Sequence, residues 1–435
     1  MSSGMVTAQT MQQTRLANGV HVLSERIESV RSVALGVWVR HGSVHDPMEH
    51  LGASHLLEHM VFKGTRSRSA REIVLALEGV GGSIDAYTSR EQTGYQARVL
   101  DQHLDLAVDV LADLVLEPLL RDEDLELERD VVLEEISTVD ETPDDLVFEL
   151  HGDLLWAGHP YGRSILGTRE TVSAIDGAAL RALHAAQYRG SNLVVAAAGH
   201  VDHDDWVRTV EKRFGGAAPH SGSPRVGPAT PVHGRLAHVE HQGVQTHIVL
   251  GAATPGHRDP RRHALVLLSA AFGGGMSSRL FQRLREELAL GYAVYSYQSF
   301  NRDAGVTGMY LGTRPGWEER ALEAIRAEYA RMAQEGLPPA ELDQIKEQVK
   351  GQLLLSLEST SARLYRLAGH ALFDEPFRSV DEILADIDGV TVEGARAVAA
   401  EFFAPAEQTV LLLGPAPKQR TGAGAFAPAW PELET

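Results

Sequence analysis

Residues 52–65 read GASHLLEHMVFKGT, an apolar stretch that carries two histidines and a glutamate within five consecutive positions. Groups that titrate or bind metal are costly to bury alone, so the cluster calls for solvent, hydrogen bonds or an ion. On a helix, residues four apart share a face, and His55 and His59 can present their imidazoles to a single ion. Glu58 stands three residues from His55 and next to His59, close enough to polarise a bound water without being a ligand. Two helix histidines bonded to backbone or solvent are the plainer account. The full pattern has a chance expectation of about one in ten in a chain this rich in histidine.

The chain contains no cysteine, which excludes disulfides, thiolate metal sites and cysteine nucleophiles and leaves only His, Asp and Glu to hold a metal. Catalytic zinc sites hold three protein ligands and keep one position for water, so two imidazoles leave such a site one short. Residues 125–142, LELERDVVLEEISTVDET, offer acidic candidates on a helix. Glu128 and Glu135 lie seven apart and share a face, whereas Glu134 is turned by about 100° from Glu135, and spacing leaves Glu134 and Glu135 both open. The same run also reads as a solvated acidic face that favours a helix start.

At 435 residues the chain is long enough for two or three units with their own cores. A net charge of −19 argues against nucleic-acid binding, which needs basic faces. The first residues, MSSGMVTAQTMQQTRL, lack a basic start followed by an apolar run, and no apolar run reaches the ~20 residues of a membrane span, so a cytoplasmic protein is expected.

Runs such as GVHVLSERI and SVALGVWV alternate as strands, and AREIVLALEGV, LDLAVDVLADLVLE and ALRALHAAQY carry helical spacing. The stretch GSIDAYTSREQTGYQARVL has the character of two adjacent strands, and NLVVAAAGHV that of a buried one. Residues rich in Gly, Pro and Ser at 216–234 mark a connector between a domain at 1–215 and one at 235–435. Leu35-Gly36 leading to Asp46-Pro47 is echoed by Leu250-Gly251 leading to Asp259-Pro260, and NLVVAAAGHV by TVLLLGPAP, at an offset near 215 residues. Internal duplication follows. The stretch of the second half that corresponds to HLLEH, ALVLLSAAFGGG, has no metal ligands. The triplet Gly273–Gly275 is expected to turn into a helix capped by Ser277, and His200 and His203 to occupy an exposed turn.

The order His-x-x-Glu-His, followed about 75 residues later by Glu-x6-Glu, resembles the inverzincin peptidases: pitrilysin, insulin-degrading enzyme and mitochondrial processing peptidase. The resemblance implies an α+β fold of two homologous sandwich domains, each a mixed, largely antiparallel sheet with helices packed on it. It makes His55, His59 and Glu135 the ligands of one Zn2+ per chain, Glu58 the general base, and Glu128 a carboxylate that orients the site from behind. GSIDAYTSREQTGY resembles the family's edge strand, where substrate backbone adds as a further strand, implicating Asp85, Ala86 and Tyr87. Many members have Asn in place of Asp85, and an ionised carboxylate cannot donate the hydrogen bond an amide would. HPYGRSILGTRETV resembles the segment after the third-ligand helix, and SSRLFQRLREELALGYAVYSY the family's Arg/Tyr element, which assigns Arg285 and Tyr292.

Because one chain carries both elements, it resembles the self-sufficient homodimeric bacterial processing peptidases, which implies a clamshell homodimer whose Arg/Tyr element acts in trans. The implied activity is zinc endopeptidase cleavage of unfolded polypeptides or short peptides. The alternative is a non-catalytic core or partner subunit of the same fold.

Overall fold

The structure, a computed structural model, describes residues 11–219 and 226–415. The chain runs β1 (Met11–Arg15), β2 (His21–Arg26), β3 (Ser32–Val39), α1 (Ala53–Val61), α2 (Ala70–Glu78), β4 (Ser83–Thr88), β5 (Thr93–Leu100), α3 (Leu104–Leu116) and α4 (Asp122–Glu141). There follow α5 (Pro143–Trp156), α6 (Arg169–Ala174), α7 (Gly177–Gln187), β6 (Leu193–Gly199), α8 (His203–Phe214), β7 (Leu236–Glu240), β8 (Thr246–Pro255) and α9 (Arg262–Gly273). The remainder is β9 (Gly291–Phe300), β10 (Ala304–Thr313), α10 (Glu318–Glu335), α11 (Pro339–Ser356), α12 (Thr360–Leu372), α13 (Val380–Asp388), α14 (Val392–Phe402) and β11 (Thr409–Gly414). No helix among the described residues is long and apolar enough to cross a membrane.

Two compact units form, one from Met1–Ile136, Ser164–Val226 and Leu354–Ser379, the other from Ser137–Arg163, Gly227–Leu353 and Val380–Thr435. The first holds a sheet of order β1-β2-β6-β3-β5-β4, in which β2 and β6 run parallel and every other pair antiparallel. Strand alternation sorts its side chains onto two buried faces. Val33, Leu35, Val37 and Val39 of β3 join the core beneath α1, α3 and α8, while Ala34 and Trp38 face Leu364, Leu367 and Ala368 of α12. Coverage on both sides explains why β3 and β6 read as near-continuous apolar runs.

The second unit repeats this plan with the order β7-β11-β8-β10-β9. β7 and β11 are parallel and the rest antiparallel, so β7, β11, β8, β10 and β9 match β2, β6, β3, β5 and β4 in place and direction. Ile248, Leu250, Met309 and Leu412 face the helices of one layer, and Val249, Leu411 and Leu413 face Val147 of α5 on the other. The matched strand order is the duplication expressed as architecture.

The compact units depart from the expected contiguous division at 1–215, 216–234 and 235–435. Helix α12, late in the chain, completes the first unit, and α5, early in the chain, completes the second. Patterning reveals that a sheet face is covered but not which segment covers it. Of the expected connector, residues 220–225 lie outside the described residues, and its described parts are irregular.

Two smaller expectations also change. The helix after Gly275 starts one residue later than a Ser277 cap requires, and Ser278 there donates its hydroxyl to Gly275 O at 2.6 Å. His203 is buried at the start of α8 instead of lying in an exposed turn, its ring nitrogens 2.8 Å from Ser24 Oγ and 2.9 Å from Thr14 Oγ1.

Helix α12 is held to its sheet by charge as well as packing. Glu25, fully buried on β2, meets Arg363 Nη1 at 2.6 Å and Arg366 Nη2 at 3.2 Å. Removing one partner of a buried ion network strands the others, at about 3–5 kcal/mol. Glu25→Ala is therefore expected to lower unfolding stability by that amount in chemical denaturation of the first unit, and a loss below about 1 kcal/mol would contradict a role for the triad in seating α12.

Candidate metal centre and active site

Helix α1 starts at a crowded joint. Gly52 adopts φ 91°, and a Cβ there would stand 2.4 Å from Leu166 O. Facing it, Gly167 adopts φ 78°, and its Cβ would stand 2.2 Å from Leu51 O. Thr171 Oγ1 donates to Leu51 O at 2.8 Å, so the segment 164–171 buttresses the start of α1. Asp46, buried, accepts Ser54 N–H at 3.1 Å and Ser54 Oγ–H at 2.6 Å. Burial pushes its carboxyl up to about 7, against the opposing hydrogen bonds from Ser54, Gly52 and Ala53.

Leu56, Leu57, Met60 and Val61 anchor α1 in the core and leave His55, Glu58 and His59 on its half-buried face. The two imidazole centroids are 4.7 Å apart. Helix α4 packs through Leu125, Val132 and Ile136 and brings two carboxylates to the same place. Glu135 Oε2 lies 3.6 Å from His55 Nε2, and Glu135 Oε1 lies 3.7 Å from His59 Nε2. Donor atoms of His55, His59 and Glu135 all fall within 4.8 Å of one another. These separations are too long for good hydrogen bonds. They are close to the ~3.3 Å edge of a tetrahedron with ligand distances near 2.0–2.1 Å, so the donor set fits a shared divalent ion. Of the two carboxylates that spacing left open, Glu135 belongs to this set and Glu134 is exposed.

Glu128, buried one face-repeat earlier on α4, lies 3.2 Å from His59 Nδ1 and pairs through its other oxygen with Lys63 Nζ. A carboxylate only accepts, so Nδ1–H donates and the Nε2 lone pair is free to coordinate. Burial, with His59 adding to it, holds the His55 imidazole down to about 4, which keeps it neutral and able to bind metal at neutral pH. The Glu58 carboxylate receives the Thr88 hydroxyl at 2.6 Å. Burial raises its pKa, Thr88 and His59 oppose that rise, and Glu135 and Asp85 reinforce it.

Residues 21–169 match the family model described as Insulinase (Peptidase family M16), and residues 174–349 that described as Peptidase M16 inactive domain. The chain belongs to peptidase family M16. A relative from Streptomyces coelicolor, named an uncharacterized zinc protease, is 39% identical over 401 residues, 91% of this chain and 87% of its own. One of the same name from Bacillus subtilis is 38% identical, covering 89% of this chain and 94% of its own. A crystal structure of a protease from Helicobacter pylori superposes with TM-score 0.88 over 94% of this chain and all of its own, at 23% identity, and is alike in fold.

In this M16 chain β4 is an edge strand, paired only with β5 among the described residues. Ile84 and Ala86 pack toward α1, and Thr88 shares their parity. Asp85 and Tyr87 take the α12 side, where the Tyr87 hydroxyl accepts Trp38 Nε1–H at 3.0 Å. The Tyr87 ring thus serves packing. Asp85 accepts its neighbour's Ala86 N–H at 2.9 Å and lines a cavity of about 260 Å³ with Gln96, Arg98 and Tyr365.

Arg285 and Tyr292 belong to the second unit. Their spacing of seven works through a widened turn, Phe281–Glu287, closed by Leu288 N–H to Arg283 O at 3.2 Å. The Arg285 guanidinium lies 4.4 Å from the Tyr292 ring centroid and donates to Tyr292 O at 3.2 Å, while Tyr292 itself is 79% exposed.

Thr88, Lys63 and Asp46 were not singled out by sequence as parts of the centre. Lys63 sits four residues after His59, a spacing that could have suggested it. Thr88 and Asp46 come from other elements and carry no local signal. Because Gly52 has both positive φ and no space for a Cβ, Gly52→Ala is expected to destabilise the first unit by more than about 1 kcal/mol. Differential scanning calorimetry checks this, and an unchanged melting temperature would contradict the buttress.

Proposed function

We propose that the chain is a zinc metalloendopeptidase that hydrolyses peptide bonds in unfolded polypeptides or short peptides. The observation that carries this reading is the convergence of His55, His59 and Glu135 from two helices, with Glu58 beside them. The zinc in the names of the relatives supports the identity of the ion. Zinc, when bound, acts as a Lewis acid on water and on the scissile carbonyl.

The chain's own groups supply the rest. Glu58 takes the proton of the attacking water and passes it to the leaving amine. Glu128 holds His59 in the coordinating tautomer. The open side of β4 receives substrate backbone as a further strand at Asp85, Ala86 and Tyr87, so affinity arises from main-chain pairing. Tyr292 donates to the developing oxyanion and Arg285 holds a substrate carbonyl, in a homodimer in which each partner's pair serves the other's zinc.

Glu58→Gln preserves size and leaves the three ligands intact. Zinc content is expected to stay at one per chain while peptide turnover falls at least about 100-fold, and turnover at the native rate would exclude Glu58 as the base. Glu128→Ala is expected to weaken zinc binding about 10- to 100-fold in competition titrations, with unchanged affinity removing its orienting role. Mixing inactive Glu58→Gln with inactive Tyr292→Phe chains should regenerate one intact site per mixed dimer. No recovery after verified subunit exchange would reject action in trans.

A further inference from the structure

We infer that Thr88 is a positioning residue that ties the general base to the strand carrying the substrate, an inference that rests on the peptidase reading above. A general base must hold one oxygen within about 2.6–3.2 Å of the proton it removes. The backbone of α1 fixes where the Glu58 side chain begins, but its torsions still let the carboxylate swing. Thr88 removes that freedom. Its hydroxyl is the one hydrogen-bond donor to Glu58 among the described residues, and it engages Oε2 at 2.6 Å. The other oxygen is left for the proton.

Thr88 is itself tightly held. It is the last residue of β4 and pairs with Thr93 across the strand end. Thr93 is buried and donates to His41 O at 3.0 Å, and the turn between them is closed by Ser89 N–H to Gln92 O at 2.8 Å. A β-branched side chain on a strand has few rotamers, so this backbone sets the direction of the hydroxyl. Strand alternation supplies the rest, because Ile84, Ala86 and Thr88 point toward α1 while the main chain of the same residues forms the free edge. Substrate paired on that edge and the base that serves it are therefore referenced to one rigid element. A shift of the strand moves both together.

Thr88→Val keeps the shape and branching and removes only the donor. With zinc-loaded protein and a fluorogenic peptide, it is expected to lower kcat about 10- to 100-fold, with KM within about twofold and zinc content unchanged. Thr88→Ser, which restores the hydroxyl, should recover kcat to within about threefold. In the Glu58→Gln background, Thr88→Val should cost less than about twofold more, since the group it positions no longer acts. A kcat for Thr88→Val within twofold of wild type overturns the inference, as do equal losses in the valine and serine variants or a full additional loss in the Glu58→Gln background. Should valine unfold the strand, Thr88→Ala compared with Thr88→Ser reads the same difference. Wild-type turnover that Glu58→Gln abolishes upholds the peptidase reading by itself, so an unaffected Thr88→Val would then sink this inference alone.

Discussion

The buried contact between Glu128 and His59 constrains everything around it. A carboxylate taken out of water must be matched by charge and hydrogen bonds or the fold loses several kcal/mol. Glu128 meets that demand with His59 Nδ1 on one oxygen and Lys63 on the other, both supplied by α1 or the turn after it. Satisfying it therefore fixes how α1 lies along α4. Once that register is set, Glu135, two turns further along α4, has nowhere to go but beside the Nε2 atoms of His55 and His59. The meeting of His55, His59 and Glu135 is a consequence of the buried Glu128 contacts that stand behind it.

The duplicated architecture shows how a common scaffold diverges in chemistry. Both sheets use the same strand order, and the segment after β3 and β8 is a helix in each case, α1 with α2 in one unit and α9 in the other. In α9 the positions are filled by Leu265, Leu267, Leu268 and Phe272, all buried in the core. Its buried polar side chain, Ser269, is satisfied within the unit by Ser296 Oγ at 3.1 Å, so the helix brings no pair of metal-ligating groups together there. The second unit's distinctive polar residues lie instead on the edge strand and the widened turn before it, where Arg285 stacks against both Phe281 and Tyr292. Holding a guanidinium between two rings restricts a long side chain without burying its charge.

Much of this was readable from the chain alone because short-range periodicity records which faces are buried. The alternation in SVALGVWV, the four-residue spacing of His55 and His59, and the seven-residue spacing of Glu128 and Glu135 are local facts that the fold preserves. What escaped reading is long-range. Nothing in the acidic helical run LELERDVVLEEISTVDET says whether Glu134 or Glu135 turns inward, since that depends on how α4 is rotated against α1. Nor does AGHAL in α12 announce that it covers β6, nearly 170 residues earlier in the chain, or Thr88 that its hydroxyl reaches Glu58. Such contacts are fixed by topology, and a one-dimensional pattern carries topology only weakly.

The electrostatics of the centre give the convergence its chemical direction. Burial, with the nearby charges of Glu135 and Asp85 adding to it, raises the Glu58 pKa against the opposing Thr88 hydrogen bond and His59. Lys63 offsets only the charge of Glu128, behind the ligands. At the front, the His55 imidazole, held neutral by burial with His59 adding to it, contributes a donor but no positive charge. A dication placed there would meet both needs at once, taking lone pairs from the imidazoles and countering the carboxylates, and in a partly desolvated pocket that attraction is screened far less than at an open surface. The same field acts on Glu58: with a dication nearby its ionised form is favoured, and an ionised carboxylate is the form able to accept a proton. On the proposed reading, metal occupancy and the readiness of Glu58 to act as base would thus be linked through charge.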